Sequence, residues 1–221
     1  MTAAGSGSIA IIDYGVGNLR SVEKAFAARG HVATITSDSE VIRAADRVVL
    51  PGVGAFGATV AQLRASGLEA VALDAAASGK PFLGICVGMQ LLFTESEEMG
   101  THRGLNLIPG RVLRFGERNL GEAARGVKVP QIGWNALSFP TASPGSPLFA
   151  GVAEGAMVYF VHSYYCHPDN PMAVAATTDF IAPYCSAVTV GNVMGVQFHP
   201  EKSGDVGLLI LDNFARLTLP R

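Results

Sequence analysis

Short apolar runs alternate with amphipathic segments through the first 92 residues, and no other feature of the chain constrains its fold so tightly. The runs 9–12, 32–35, 48–50 and 82–85 are too short for helices, and each is followed within three residues by Asp, Pro or Gly. Segments with helical spacing lie between them. Leu19, Val22 and Phe26 recur at i, i+3 and i+7 behind Asn18, a residue type suited to an N-cap, and Gly30 ends that helix. Residues 40–45 read as a short helix. Phe56, Val60 and Leu63 mark another that ends at Gly67, and an alanine-rich helix runs on to Gly79. Pro51-Gly52 stops the third strand, and Leu91 and Leu92 sit on the helix after the fourth. Repetition of strand and helix builds βαβ units, so a three-layer α/β fold is expected, with a mostly parallel central sheet and helices on both faces.

The second half changes character. Runs at 110–115, 157–165, 174–177, 187–190 and 194–198 are β-rich and broken by Gly, Pro and Asn, which predicts an antiparallel extension of the sheet. Residues 143–147 (Ser-Pro-Gly-Ser-Pro) form a loop. Val206, Ile210, Phe214 and Leu217 mark a closing helix. At about 150 residues per domain, 221 residues suit one domain over 8–221, with 1–7 as a flexible tail. Charged residues are 15% of the chain and hydrophobic ones 49%, against about 25% charged in ordinary domains, so disorder is excluded. Lys and Arg number 16 against 18 Asp and Glu, which leaves no basic surplus for nucleic acid. No run of apolar residues is long enough for a membrane span, and the first residues do not read as a secretion signal. Three cysteines without a C-x-x-C pair point to a reducing, cytoplasmic setting.

Gly84-Ile85-Cys86-Val87-Gly88 follows an apolar strand and opens a helix. This is the context of a nucleophile elbow, in which a sharp turn lifts a side chain above the sheet edge and the flanking glycines make room for it. The plain alternative is a small buried cysteine in a βα turn. A nucleophile needs a base, and the base needs an orienting group. His199-Pro200-Glu201 follows the strand at 194–198, where residues i and i+2 share a side, so Glu201 can hold one imidazole nitrogen while the other faces a thiol. The remaining histidines suit this less. His31 and His102 read as surface turn residues. His162 and His167 flank Cys166, but a further metal ligand at sensible spacing is missing. Pro51 to Gly57 is a glycine-rich strand end without the Lys-Ser/Thr of a P-loop. Its backbone suits an oxyanion hole shared between the N–H groups of Val53 and Val87, and glycines on either side of Val53 leave that peptide free to rotate.

With these motifs the chain resembles the class I (triad) glutamine amidotransferases. More narrowly, it resembles the glutaminase subunits of imidazole glycerol phosphate synthase. The resemblance rests on IIDYGVGNLRSV at 11–22, PGVGAFG at 51–57, GICVGMQLL at 84–92, VPQIGWN at 129–135, YFVHSYY at 159–165 and GVQFHPEKSG at 195–204. It implies hydrolysis of L-glutamine to glutamate and ammonia, with Cys86 as nucleophile, His199 as base and acid, and Glu201 as orienter. It further implies that Gln90, Ser163 and Tyr164, with Gly54 of the glycine-rich loop, hold the backbone groups of glutamine. Asn18 and Lys202 would face a partner, a (β/α)₈-barrel cyclase that takes up the ammonia in histidine biosynthesis and switches the glutaminase on. The chemistry so implied needs no metal or cofactor. A triad glutaminase of another pathway, such as pyridoxal phosphate synthesis, would share the triad but lack the DYGxGN and GWN segments. A cysteine peptidase usually places its histidine soon after the cysteine, and a binding module with decayed motifs would not keep all three triad residues.

Overall fold

The computed structural model describes residues 7–141 and 145–218. The expected flexible tail falls almost wholly outside the described residues, and so do Ser143 and Pro144 of the expected loop. The chain runs β1 (Ile9–Ile12), α1 (Leu19–Ala27), β2 (Ala33–Thr36), α2 (Ser39–Ala44), β3 (Arg47–Gly52), α3 (Phe56–Ala65), α4 (Leu68–Ala77), β4 (Phe82–Cys86), α5 (Val87–Leu91), β5 (Phe93–Ser96), β6 (His102–Arg103), β7 (Ile108–Arg114) and α6 (Glu117–Leu120). It continues with β8 (Gln131–Ala136), β9 (Met157–His162), β10 (Tyr164–Pro168), β11 (Val174–Asp179), β12 (Pro183–Val190), β13 (Val193–Val196) and α7 (Gly204–Arg216).

The main sheet has the order β2-β1-β3-β4-β13-β12-β10-β7-β5-β6, with β11 against β12. Strands β2, β1, β3, β4 and β13 are mutually parallel, and the pairs from β13 to β7 are antiparallel. Of these, β1, β3, β4 and β13 are buried along their length because helices cover both faces, while the edge strand β2 is partly exposed. α1 packs with α7, while α2, α3, α4 and α5 form the other group. Right-handed crossovers put α1 on one face and α2, α3 and α4 on the other, since the chain steps from β1 to β2 in one direction and from β2 back to β3 and on to β4 in the other.

Three sequence readings are corrected by the structure. The third strand does not stop at Pro51-Gly52 but runs through both, in register with Ile85 and Cys86 of β4. Its pairing with β1 has already ended at Val49, so the N–H that Pro51 lacks is not missed on that side. The run at 157–165 is two strands, not one. β9 forms a separate antiparallel ribbon with β8, and β10 joins the main sheet beside β7. Asn18 occupies the N-cap position of α1, but its side chain accepts from the Ser21 hydroxyl at 2.9 Å and bonds no backbone N–H.

Candidate active site

Three neighbouring parallel strands end at one place. β3 ends at Gly52, β4 at Cys86, and β13 three residues before His199. Gly52 is in register with Cys86 and Val196 with Ile85, so sheet pairing sets Cys86 between the glycine-rich strand end and the histidine. Cys86 has φ 55° and ψ −115°, a conformation that costs a side-chain-bearing residue about 1–3 kcal/mol. The packing that enforces it depends on glycine. A Cβ on Gly84 would lie 2.6 Å from the Gly88 carbonyl oxygen, and one on Gly88 would run into the Leu50 carbonyl.

The His199 N–H donates to the Tyr159 carbonyl at 3.0 Å, and the Ser203 hydroxyl donates to the His199 carbonyl at 2.6 Å. Nδ1 of the ring lies 2.8 Å from Oε1 of Glu201, with both side chains buried. The ring also hydrogen-bonds Cys86. Burial by itself lowers the imidazole pKa. The hydrogen bonds and charges of Cys86 and Glu201 outweigh burial and raise it to about 10. At neutral pH the ring is therefore an imidazolium between sulfur and carboxylate.

A cavity of about 400 Å³ opens over these groups. Val53, Gly54, Cys86, Val87, Gln90, Ser163, Tyr164, His199 and Lys202 all line it. Glu201 stands behind His199, and Asn18 lies away from the cavity at the start of α1. The break between β9 and β10 is what turns Ser163 and Tyr164 into the wall. Burial, and then the charge of Glu98, raise the Tyr164 phenol above its ordinary pKa. The expectation of a freely rotating peptide is only partly met. A Cβ on Gly52 would sit 2.6 Å from the Gly88 nitrogen, so this glycine serves close approach. Conformational freedom belongs to Gly54, which has φ +90° and open space around it. The Tyr14 hydroxyl donates to the Pro51 carbonyl at 2.5 Å, and the Thr59 hydroxyl donates to the Val53 carbonyl at 3.0 Å.

Several residues of the site were not anticipated. Glu98 lines the cavity and accepts the Phe56 N–H at 2.7 Å, at the start of α3. Gln197 bonds Gln90 at 3.1 Å and reaches toward Cys86 at 3.9 Å. A signal for Gln197 existed, since it lies two residues before His199 on an extended segment; Glu98 carried none. His162, read only as a weak metal candidate, is buried in the cavity wall, and burial lowers its pKa to about 4. Among the described residues no group of three or more His, Cys, Asp or Glu could hold a metal. His31 is not a surface turn residue: it is buried, with Nε2 2.6 Å from Asp212 of α7. His102 lies in β6, half-buried against Gly57. No helix among the described residues is long and apolar enough to cross a membrane.

The class I glutamine amidotransferase family model matches residues 10–216. The imidazole glycerol phosphate synthase subunit HisH of Syntrophotalea carbinolica is 53% identical over 93% of this chain and 98% of its own length. HisH of Geobacter metallireducens is 51% identical over 94% and 97%. A solved glutamine amidotransferase structure covers 93% of the chain with a TM-score of 0.68, and PurLQS from Thermotoga maritima covers 94% with 0.69; at 18% identity both speak to the fold alone. With a strained cysteine elbow, a carboxylate-held histidine and family likeness along nearly its whole length, the chain belongs to the class I glutamine amidotransferases, and within them to the HisH subunits of imidazole glycerol phosphate synthase.

Proposed function

We propose that this chain hydrolyses L-glutamine to glutamate and ammonia at Cys86, His199 and Glu201, and hands the ammonia to a cyclase subunit with a (β/α)₈ barrel. That partner makes imidazole glycerol phosphate and aminoimidazole carboxamide ribonucleotide in histidine biosynthesis, and the pair works in the cytoplasm. The observation that carries this reading is the Glu201–His199–Cys86 line at the floor of the cavity. The Cys86 sulfur, its proton taken by His199, attacks the side-chain amide carbon of glutamine. N–H groups of Val53 and Val87 hold the oxyanion, His199 protonates the leaving ammonia, and water activated by His199 then cleaves the thioester. Gln90, Ser163 and Tyr164, with the Gly54 backbone, hold the α-carboxylate and amine.

The β8–β9 ribbon exposes Ile132, Trp134, Met157 and Val161, an apolar face beside the cavity that suits the partner, with Lys202 and Asn18 contributing polar contacts. Cys86→Ala tests the division of labour. In the assembled synthase it abolishes glutamine-dependent cyclisation and leaves cyclisation with ammonium salts intact. Equal loss of both activities, with assembly preserved, refutes it.

A further inference from the structure

Behind the cavity a line of side chains joins two backbone carbonyls, and the direction of every hydrogen bond in it can be worked out. Asn135 Nδ2 donates to the Asp179 carbonyl at 3.1 Å. A carbonyl only accepts, so the Asn135 amide cannot be turned round. Gln131 Nε2 therefore donates to Asn135 Oδ1 at 2.9 Å, which leaves Gln131 Oε1 to accept the Tyr184 hydroxyl at 2.9 Å. The Tyr184 oxygen can then only accept on its other side, where His162 Nε2 stands at 3.2 Å. His162 Nδ1 lies 2.8 Å from the Tyr164 carbonyl, again a pure acceptor.

The line has five contacts. His162, Tyr184, Gln131 and Asn135 supply one proton each when the imidazole is neutral. One contact must therefore go without. A charged ring would fill both of its contacts, but His162 is buried, with the rings of Phe115 and Phe160 at 5.4 and 5.6 Å. The imidazolium of His199 nearby opposes a second charge. The proton belongs on the shorter contact, and the gap falls on the longer one, between Nε2 and Tyr184.

We propose that His162 is a positioning residue for glutamine: as the neutral Nδ1–H tautomer it clamps the Tyr164 carbonyl and so sets the Ser163–Tyr164 wall of the cavity. Gln90 Nε2 donates to the same carbonyl at 3.2 Å, so both of its acceptor positions are filled. The inference rests on the reading that glutamine binds against Ser163 and Tyr164. Its register partner Gln131 places His162 at the edge of the β8–β9 ribbon, where that ribbon meets the cavity.

Two measurements test it on the full chain, alone and with the cyclase subunit. Nitrogen NMR of the histidine rings at neutral pH is expected to show His162 neutral and protonated at Nδ1. A charged ring or an Nε2–H tautomer overturns the proposal. In glutamine kinetics, His162→Leu raises KM about tenfold and leaves kcat within about threefold, the signature of lost ground-state binding. His162→Asn, whose amide nitrogen reaches the place of Nδ1, restores KM to within about threefold of the parent. Tyr184→Phe leaves KM unchanged, because its contact to His162 holds no proton and the bond it donates to Gln131 does not reach the Tyr164 carbonyl. An Asn variant as impaired as Leu, or a Leu variant with unchanged KM, overturns the proposal. Gln90→Ala separates the two failures: if it raises KM while His162→Leu does not, the positioning role alone is wrong, and if neither does, glutamine binds elsewhere.

Discussion

At the scale of the residue, the site is a contest over one proton-bearing ring. Burial pushes His199 toward the neutral form, and the sulfur of Cys86 and the carboxylate of Glu201 push it the other way and win. Removing either partner lowers the His199 pKa. Glu201→Gln is therefore expected to move the NMR titration midpoint of His199 down from about 10. A glutamine can still hydrogen-bond the ring but stabilises the imidazolium poorly. Glutamine turnover by Glu201→Gln should accordingly exceed that of His199→Ala, which loses on the order of 10⁴-fold or more. Turnover at or below the His199→Ala level removes Glu201 from the mechanism.

At the scale of the element, the base belongs as much to the β8–β9 ribbon as to the sheet. The Ser203 hydroxyl accepts the Tyr159 N–H at 3.0 Å and donates to the His199 carbonyl, while the His199 N–H donates to the Tyr159 carbonyl. One buried side chain thus staples the ribbon to the turn that carries the histidine. Ser203→Ala leaves the Tyr159 N–H without a partner and leaves the His199 carbonyl only the Lys202 N–H at 3.0 Å. It should cost about 2 kcal/mol in urea unfolding, and kcat for glutamine should fall with it because His199 is no longer held. An unchanged kcat beside the lost stability shows that the staple serves the fold and not the base.

At the scale of the whole molecule, the two histidines of the site tilt stability in opposite directions with pH. The folded pKa of His199 lies above its ordinary 6.5, so its contribution is full below pH 6.5 and is lost as pH rises toward about 10. The folded pKa of His162 lies below 6.5, so the unfolded chain takes up that proton first. Its contribution is full above pH 6.5 and is lost as pH falls toward about 4, on the order of 3 kcal/mol in all. Urea unfolding across this range is expected to show maximal stability near pH 6.5, with the acid limb flattened in His162→Asn. An acid limb of the same slope in that variant excludes His162 as its source.

Much of this was legible in the sequence because it depends on local spacing. The strand–helix alternation gave the parallel half of the sheet. The glycines around Cys86 gave the elbow, since a crowded βα turn tolerates no Cβ at Gly84 or Gly88. His199 and Glu201 could be paired because residues i and i+2 of an extended segment share a side. What the sequence hid is what distant segments decide together. His31 read as a surface turn residue because Asp212, its partner across 181 residues, could not be seen beside it. The run at 157–165 carried one continuous β pattern, and only pairing with β8 on one side and with β7 and β12 on the other split it at Ser163. His162 shows the division most clearly. Its residue type was plain, but its protonation is set by the Tyr164 carbonyl two residues on together with a carbonyl, a phenol and a second histidine brought in from three distant segments, and a pattern of neighbours along the chain carries no record of neighbours through space.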